Sequence, residues 1–246
     1  MNIEGCVALV TGANRGLGRA YAEALLASGA AKVYAGARDP SAIADRRLRS
    51  IRLDVTSRTD IAAAVKACPD VNLLINNAGV MLKSPMLAEG SEDALRREME
   101  VNVYGVLAMV RAFAPILARN GGGAIVNVLS VVSWFVNPFN GTYCASKHAA
   151  LAVTDAARIQ LKAQGTHVVG VYAGFIDTDM AARVNAPKTS PRQVAEQTLE
   201  GLRTGQNHVV ADNAACDTRA ALLADPAAVE AEMQKAWEHG GNPWSA

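Results

Sequence analysis

Tyr143 and Lys147 lie four positions apart in the run Tyr143-Cys144-Ala145-Ser146-Lys147. On a helix that interval stacks a phenol and an ammonium on one face. A free tyrosine keeps its proton to about pH 10, and a neighbouring positive charge favours the phenolate and lowers that value. The pair is therefore expected to give or take a proton near neutral pH. Thirteen positions before the tyrosine, Ser130 ends the apolar run Val126-Asn127-Val128-Leu129. A hydroxyl fixed there would steady an oxygen that gains negative charge as a reaction proceeds. Asn102, in Val101-Asn102-Val103-Tyr104-Gly105, is an unfavourable residue in a helix interior, so it reads either as functional or as a polar residue on a solvated face. Each residue alone has an ordinary structural explanation; their combination carries the chemistry.

A second set of residues points to a bound phosphate. The run Val7 to Val10 leads through Thr11-Gly12-Ala13-Asn14-Arg15-Gly16-Leu17-Gly18 into an amphipathic stretch, Leu17 to Ala27. A strand that turns into a helix N-terminus presents unpaired N–H groups and the positive end of a dipole, and glycines let a pyrophosphate approach them. The spacing G-x-x-x-G-x-G is not the G-x-G-x-x-G fingerprint, and a turn that only packs tightly would use the same glycines. The next strand-like run ends Gly36-Ala37-Arg38. In a dinucleotide fold an acid at this place binds the ribose hydroxyls of NAD, whereas an Arg accommodates the extra phosphate of NADP. Uncharged Ala37 followed by Arg38 favours NADP(H), with Arg15 as a possible second cation. Asp39 is the rival, either as a surface partner of Arg38 or as a ribose acceptor.

The turn Thr11 to Gly18, the segment Asn76-Asn77-Ala78-Gly79, Ser130 and the Tyr143/Lys147 pair follow one another in order. From about Val7 to Met180 the chain resembles a classical short-chain dehydrogenase/reductase. The resemblance implies a hydride transfer between NADP(H) and a carbonyl or alcohol, with Ser130, Tyr143, Lys147 and Asn102 catalytic. It implies that Gly12, Asn14, Arg15, Gly16, Leu17 and Gly18 cradle the cofactor and that Arg38 meets its extra phosphate. Asp54 and Val55 would flank the adenine, and Asn77, Ala78 and Gly79 its ribose. Tyr143 and Lys147 would bind the nicotinamide ribose, and Gly174, Ile176 and Thr178 the carboxamide and pyrophosphate. Asn102 would hold a water that relays protons through Lys147. Ala173 stands where the family generally has proline, which loosens that turn.

Elements of the right kind exist to position these groups. Short β-rich runs (Val7 to Val10, Lys32 to Gly36, Ile51 to Leu53, Asn72 to Ile75, Ala124 to Val128, His167 to Val171, Asn207 to Val210) alternate with helical patterns. The helical patterns are Leu17 to Ala27, Ile61 to Ala67, Glu92 to Arg119 and Thr142 to Gln164. This rhythm predicts an α/β fold, a doubly wound parallel sheet of Rossmann type, in one domain over residues 1–246. Ser190-Pro191-Arg192-Gln193 predicts a helix start with a capping box. A substrate lid is expected at residues 173–190.

Bulk properties narrow the classes further. A formal charge of +1 over 246 residues gives no basic face for nucleic acid or anionic membrane. The N-terminus lacks a secretory pattern and no uncharged apolar run is long enough to span a bilayer, so a cytoplasmic protein is expected. Cys6, Cys68, Cys144 and Cys216 form no CxxC pair, and no metal site is expected. Val131, Val132, Trp134, Phe135, Val136 and Phe139 make an uncharged wall that suits a hydrophobic ketone or aldehyde, as in a carbonyl reductase, but equally suits core or subunit contacts. A homo-oligomer, dimer or tetramer, is expected from the resemblance, although the last strand lacks the family's glycine end. Two other readings stay open: a regulatory protein that senses NADPH without turnover, and a non-redox lyase or epimerase using the same Tyr/Lys pair.

Overall fold

The computed structural model describes residues 1–244. Seven parallel strands form one sheet in the order β3-β2-β1-β4-β5-β6-β7. These are β1 Val7–Thr11, β2 Lys32–Ala37, β3 Arg49–Arg52, β4 Leu73–Asn76, β5 Ala124–Val128, β6 His167–Tyr172 and β7 His208–Val210. The helices are α1 Gly16–Ala27, α2 Arg58–Ala67, α3 Ser91–Met99, α4 Val106–Arg119, α5 Gly141–Gln160, α6 Pro191–Thr204, α7 Asn213–Ala224 and α8 Pro226–Glu238. The doubly wound Rossmann-type sheet expected from the sequence is thus present, with β7 added at one edge.

Central strands β1, β4 and β5 are buried on both faces, which is why they read as continuous apolar runs rather than alternating ones. One layer of core packs Val10, Ile75, Val126 and Val169 against Tyr21 and Leu25 of α1 and Leu199 and Leu202 of α6. The other packs Leu9, Leu74, Ile125 and Val168 against Ile61 of α2 and Met109, Phe113, Ile116 and Leu117 of α4. Residues Ser91–Arg119 are long and apolar enough to cross a membrane by length and composition alone. Their apolar stripe is instead the inner face of this second layer.

Differences from the expected boundaries have local causes. β3 begins at Arg49 because its backbone pairs with β2 while its side chains stay largely exposed at the sheet edge, so hydrophobicity does not mark it. α2 begins at Arg58 because the Ser57 hydroxyl accepts from Asp60 N–H and caps it. α5 ends at Gln160, followed by a 3₁₀ turn, Lys162–Gln164, that stops at Gly165 with φ +78°. Ser190 does cap α6 by accepting from Gln193 N–H at 3.1 Å, which is one arm of the expected box.

The order 2-1-4 places β1 between strands whose crossovers leave in opposite directions, so a crevice opens beyond the carboxyl ends of β1 and β4. Its floor depends on close backbone contact: a Cβ on Gly18 would lie 2.1 Å from the Gly12 carbonyl oxygen and 2.6 Å from Asn77 Nδ2. Gly18→Ala is therefore expected to destabilise the fold by about 1–3 kcal/mol, measured by denaturant unfolding.

Candidate active site

Backbone polarity is exposed deliberately at the head of α1. Gly12 and Gly16 adopt φ of +67° and +54°, a region open to glycine and strained for other residues. Arg15 occupies the N-cap position without a side-chain cap, and no acid stands in the first turn, so the helix presents uncompensated N–H donors. Leu17 is anchored in the core, and Asn14 is half-buried above the turn. The loop after β4 braces this turn: Thr11 Oγ1 accepts the N–H groups of Asn77 and Ala78, both at 3.0 Å, and Asn77 Nδ2 donates to Thr11 O at 2.9 Å. A cradle that any Cβ would fill, lined by free donors, fits a pyrophosphate.

At the end of β2, Arg38 is exposed and forms no salt bridge among the described residues. Asp39 is not its partner: Asp39 Oδ1 accepts from Ser41 N at 3.0 Å and Ser41 Oγ at 2.6 Å. Asp54 lies close enough to feel the charges of Arg38 and Arg97. Burial resists its ionisation, but two bonds from Thr56 and those cations hold its carboxyl below the usual range. Val55 is buried and packs on Gly105, where a Cβ would come within 2.8 Å of it. Arg15 does not wait as a free cation: it pairs with Asp179 at 2.7 Å.

The proton-transfer group forms where β5 meets α5. Lys147 is buried; its Nζ donates to Val128 O at 2.8 Å and lies 5.6 Å from the centre of the Tyr143 ring. The Ser130 side chain lies beside the Tyr143 phenol and eases its ionisation, and its hydroxyl oxygen accepts Val132 N–H at 3.4 Å. Ser130 is itself held in place, since its N–H donates to the buried Ser133 hydroxyl at 3.3 Å. The expectation that Lys147 lowers the tyrosine is corrected here. Burial dominates and pushes the phenol up, with the Cys144 and Glu98 charges adding and Ser130 opposing. The ammonium is drawn to a carbonyl at the strand end, and burial brings Lys147 itself down to about 8. The site as it stands holds a protonated phenol.

Asn102 has a structural part as well. It sits fully buried in a π-helical turn, Glu100–Gly105, between α3 and α4. Such turns interrupt helices at functional sites. Its Oδ1 accepts Val80 N–H at 2.9 Å, and its Nδ2 donates to Val80 O at 2.9 Å and to Ser146 Oγ at 3.0 Å. With both amide hydrogens committed, the side chain braces the segment after Gly79 against α5. Gly79 leaves room for it: a Cβ there would sit 3.2 Å from Asn102 Oδ1.

Beyond β6, the expected lid has a stitched base. Thr189 exchanges backbone bonds with Phe175 and Asp177, and Val131 N–H donates to Ala173 O at 3.1 Å. The loosening inferred from Ala173 is thereby offset by pairing. Gly174 N–H donates to Asp212 Oδ2 at 2.9 Å, Thr178 rests on Gly16, and Ile176 packs on the core. Asp212 went unnoticed in the sequence, although it joins three parts of the site. The buried carboxylate also accepts from Thr189 Oγ1 at 3.1 Å and caps α7 through Ala215 N–H at 2.8 Å. Its signal was the N-cap pattern of an acid before an Ala-rich helix.

The apolar wall divides. Trp134 stacks on Tyr172 at 4.2 Å, Phe139 meets Trp237 at 5.1 Å, and Val132 is buried, so these three serve packing. Val131 and Phe135 are half-buried and Val136 is exposed.

Residues 6–189 match the family model described as short chain dehydrogenase. A short chain dehydrogenase from Burkholderia cenocepacia J2315, solved in complex with NADP, is 42% identical with a TM-score of 0.91; the match covers 95% of this chain and 99% of that one. The 3-oxoacyl-[acyl-carrier-protein] reductase of Vibrio cholerae serotype O1 is 34% identical over 195 residues, 75% of this chain and 79% of its own. The sorbitol dehydrogenase of Cereibacter sphaeroides is 33% identical over 187 residues, 72% and 73% respectively.

Lys147 supplies a direct check on the site's electrostatics. An unfolded chain holds its proton to 10.5, the fold only to about 8. The penalty on the folded state is therefore full below about pH 8 and fades as pH rises toward 10.5. Lys147→Met, without cofactor, is expected to stabilise the protein by about 1–3 kcal/mol at pH 7, after the lost bond to Val128 O is counted. That gain should shrink toward pH 10 in denaturant unfolding.

Proposed function

Since the chain belongs to the short-chain dehydrogenase family, we propose that it is an NADP(H)-dependent oxidoreductase that interconverts a small carbonyl compound and its alcohol. The observation that carries this reading is the placement of Tyr143 beside Lys147, whose Nζ lies 5.6 Å from the ring centre, with Ser130 next to them where β5 meets α5. The bound dinucleotide supplies or accepts the hydride. Gly12, Asn14, Arg15, Gly16, Leu17 and Gly18 hold its pyrophosphate, and Arg38, which forms no salt bridge among the described residues, clamps the extra phosphate. Asp54 and Val55 flank the adenine, Asn77, Ala78 and Gly79 its ribose, and Gly174, Ile176 and Thr178 the carboxamide end.

In the reducing direction Ser130 donates a hydrogen bond to the substrate carbonyl and fixes it against the phenol. As hydride adds to the carbonyl carbon, charge builds on the oxygen, and Tyr143 delivers its proton there. Burial of the phenol keeps it protonated at neutral pH. In oxidation the same group must first lose its proton. Lys147 binds the ribose, while Asn102 acts as a brace for α5. Residues 173–190 close over the substrate on the base held by Asp212.

The substrate class we infer is a hydrophobic ketone or aldehyde. Support comes from Val131, Phe135 and Val136 on the segment between Ser130 and Tyr143, together with exposed Met180 in the lid. A cytoplasmic homo-oligomer, dimer or tetramer, accords with exposed Tyr104, Leu107 and Ile159 on α4, α5 and the turn before them.

NADPH absorbance followed over a panel of alkyl ketones, aryl ketones, aldehydes and sugars tests the reading. Consumption with the apolar members supports it, and faster turnover of charged sugars would reject the substrate class. Binding without consumption would indicate a sensor. Tyr143→Phe is expected to lose about 10²–10⁴-fold in kcat with cofactor affinity retained. Arg38→Ala is expected to reduce the NADPH-over-NADH preference in kcat/KM by about 10–100-fold.

A further inference from the structure

Glu98 is fully buried on α3, four residues before Asn102, and no step described so far uses it. Its Oε1 accepts Leu82 N–H at 2.7 Å. One helical interval away, Asn102 accepts Val80 N–H at 2.9 Å. Residues four apart on a helix face are about 6 Å apart, close to the span of two residues in extended chain, so the pair reads alternate N–H groups of one segment. The same segment then docks on the start of α5: Thr142 N and Oγ1 both donate to Ser84 O at 3.3 Å, and Asn140 Nδ2 approaches Met81 Sδ at 3.6 Å. Gly141 lies against Met86, with a Cβ there only 3.1 Å from Met86 Cβ. The next residues along α5 are Thr142 and Tyr143.

The second oxygen of Glu98, Oε2, is sealed from solvent without an aligned donor. The Thr142 hydroxyl interacts with this carboxyl group and also faces Ser84 O. Its one hydrogen serves one of them at a time. An ionised Glu98 therefore competes with Ser84 for that hydrogen. A neutral Glu98 does not: Oε2–H donates to Thr142 Oγ1, Thr142 Oγ1–H donates to Ser84 O, and Oε1 keeps Leu82.

We propose that Glu98 is a positioning residue for Tyr143, which, as the un-ionised acid, ties residues 80–86 to the head of α5 through Thr142. The inference rests on Tyr143 as the proton-transfer group. Burial disfavours the carboxylate against the opposing pull of Leu82 N–H and Thr142, and no cation offsets it. Lys83 in the segment, Lys147 on α5 and Arg96 and Arg97 on its own helix contribute nothing to its charge. Facing it from α5 are the Tyr143 phenol and the Cys144 thiol, both of which a charge on Glu98 pushes up. Keeping Glu98 neutral thus also spares the phenol an adjacent anion.

Glu98→Gln and Glu98→Ala, compared with the parent, decide the matter. Glutamine reproduces the neutral acid: its Oε1 accepts from Leu82 and its Nε2 donates to Thr142. It is expected to retain most of kcat and to leave the acid limb of alcohol oxidation in place, because the parent side chain is already neutral there. Alanine is expected to lose about 10–100-fold in kcat with KM for NADPH unchanged, as a displaced tyrosine would. Glu98→Gln falling as far as Glu98→Ala, or shifting the acid limb as the loss of a carboxylate would, overturns the proposal, as does parental kcat in Glu98→Ala. Should Glu98→Ala fail to fold, Thr142→Val cuts the same tie to Ser84 O; it is expected to lose kcat with KM for NADPH unchanged, and parental kcat there overturns the proposal. An active Tyr143→Phe would instead indict the assignment of Tyr143, which separates the two failures.

Discussion

The contact between the turn after β1 and the loop after β4 is the constraint from which the remainder of the site follows. Adjacent parallel strands whose crossovers diverge must end with unpaired donors and acceptors, and here Thr11 and Asn77 pair most of them with one another. The first turn folds so tightly on its own Gly12 carbonyl, beneath the Asn77 amide, that only glycine fits at position 18. What is left unpaired faces outward: the N–H groups at the start of α1. The same contact fixes where Asn76 ends β4, and hence where residues 80–86 set out toward α5.

A second consequence is the number of polar groups buried at this end of the sheet. Asn76 Nδ2 donates to Asn127 Oδ1 at 2.8 Å, Asn127 Nδ2 to Thr154 Oγ1 at 3.0 Å, and Thr154 to Ala150 O at 2.7 Å, which links β4, β5 and α5 in one chain of bonds. Asn102 and Asp212 do similar work around the crevice. A buried polar group costs stability unless satisfied, so these networks have a narrow set of geometries in which they persist. Lys147 is the exception. It is buried with one carbonyl and no carboxylate, and burial alone brings it down to about 8. A charge kept at such a disadvantage is the pattern of a site built for reaction rather than for stability.

Much of this was legible in the chain. The alternation of apolar runs with helical patterns gave the sheet, because burial on both faces leaves an unbroken hydrophobic signature in β1, β4 and β5. Gly12, Gly16 and Gly18 were legible because a backbone that must be approached closely admits few residues. Arg38 was legible by the absence of an acid at Ala37. β3 was hard to bound because its pairing lies in the backbone while its side chains meet water. Glu98 and Asp212 carried little signal, since an acid in a charged stretch reads as surface until its neighbours are known.

Sequence alone determined the family and the fold and nominated the residues of the proposed reacting centre, since each depends on local pattern or on residue type at a fixed interval. Only the tertiary structure decided how those residues are charged and what they touch. It took Trp134 and Phe139 into packing, turned Asp39 toward Ser41 and paired Arg15 with Asp179. It also committed the Asn102 side chain to bracing and let burial outweigh Lys147 at the Tyr143 phenol. Desolvation and hydrogen-bond partnership arise from groups distant in the chain, and no interval between residues encodes them.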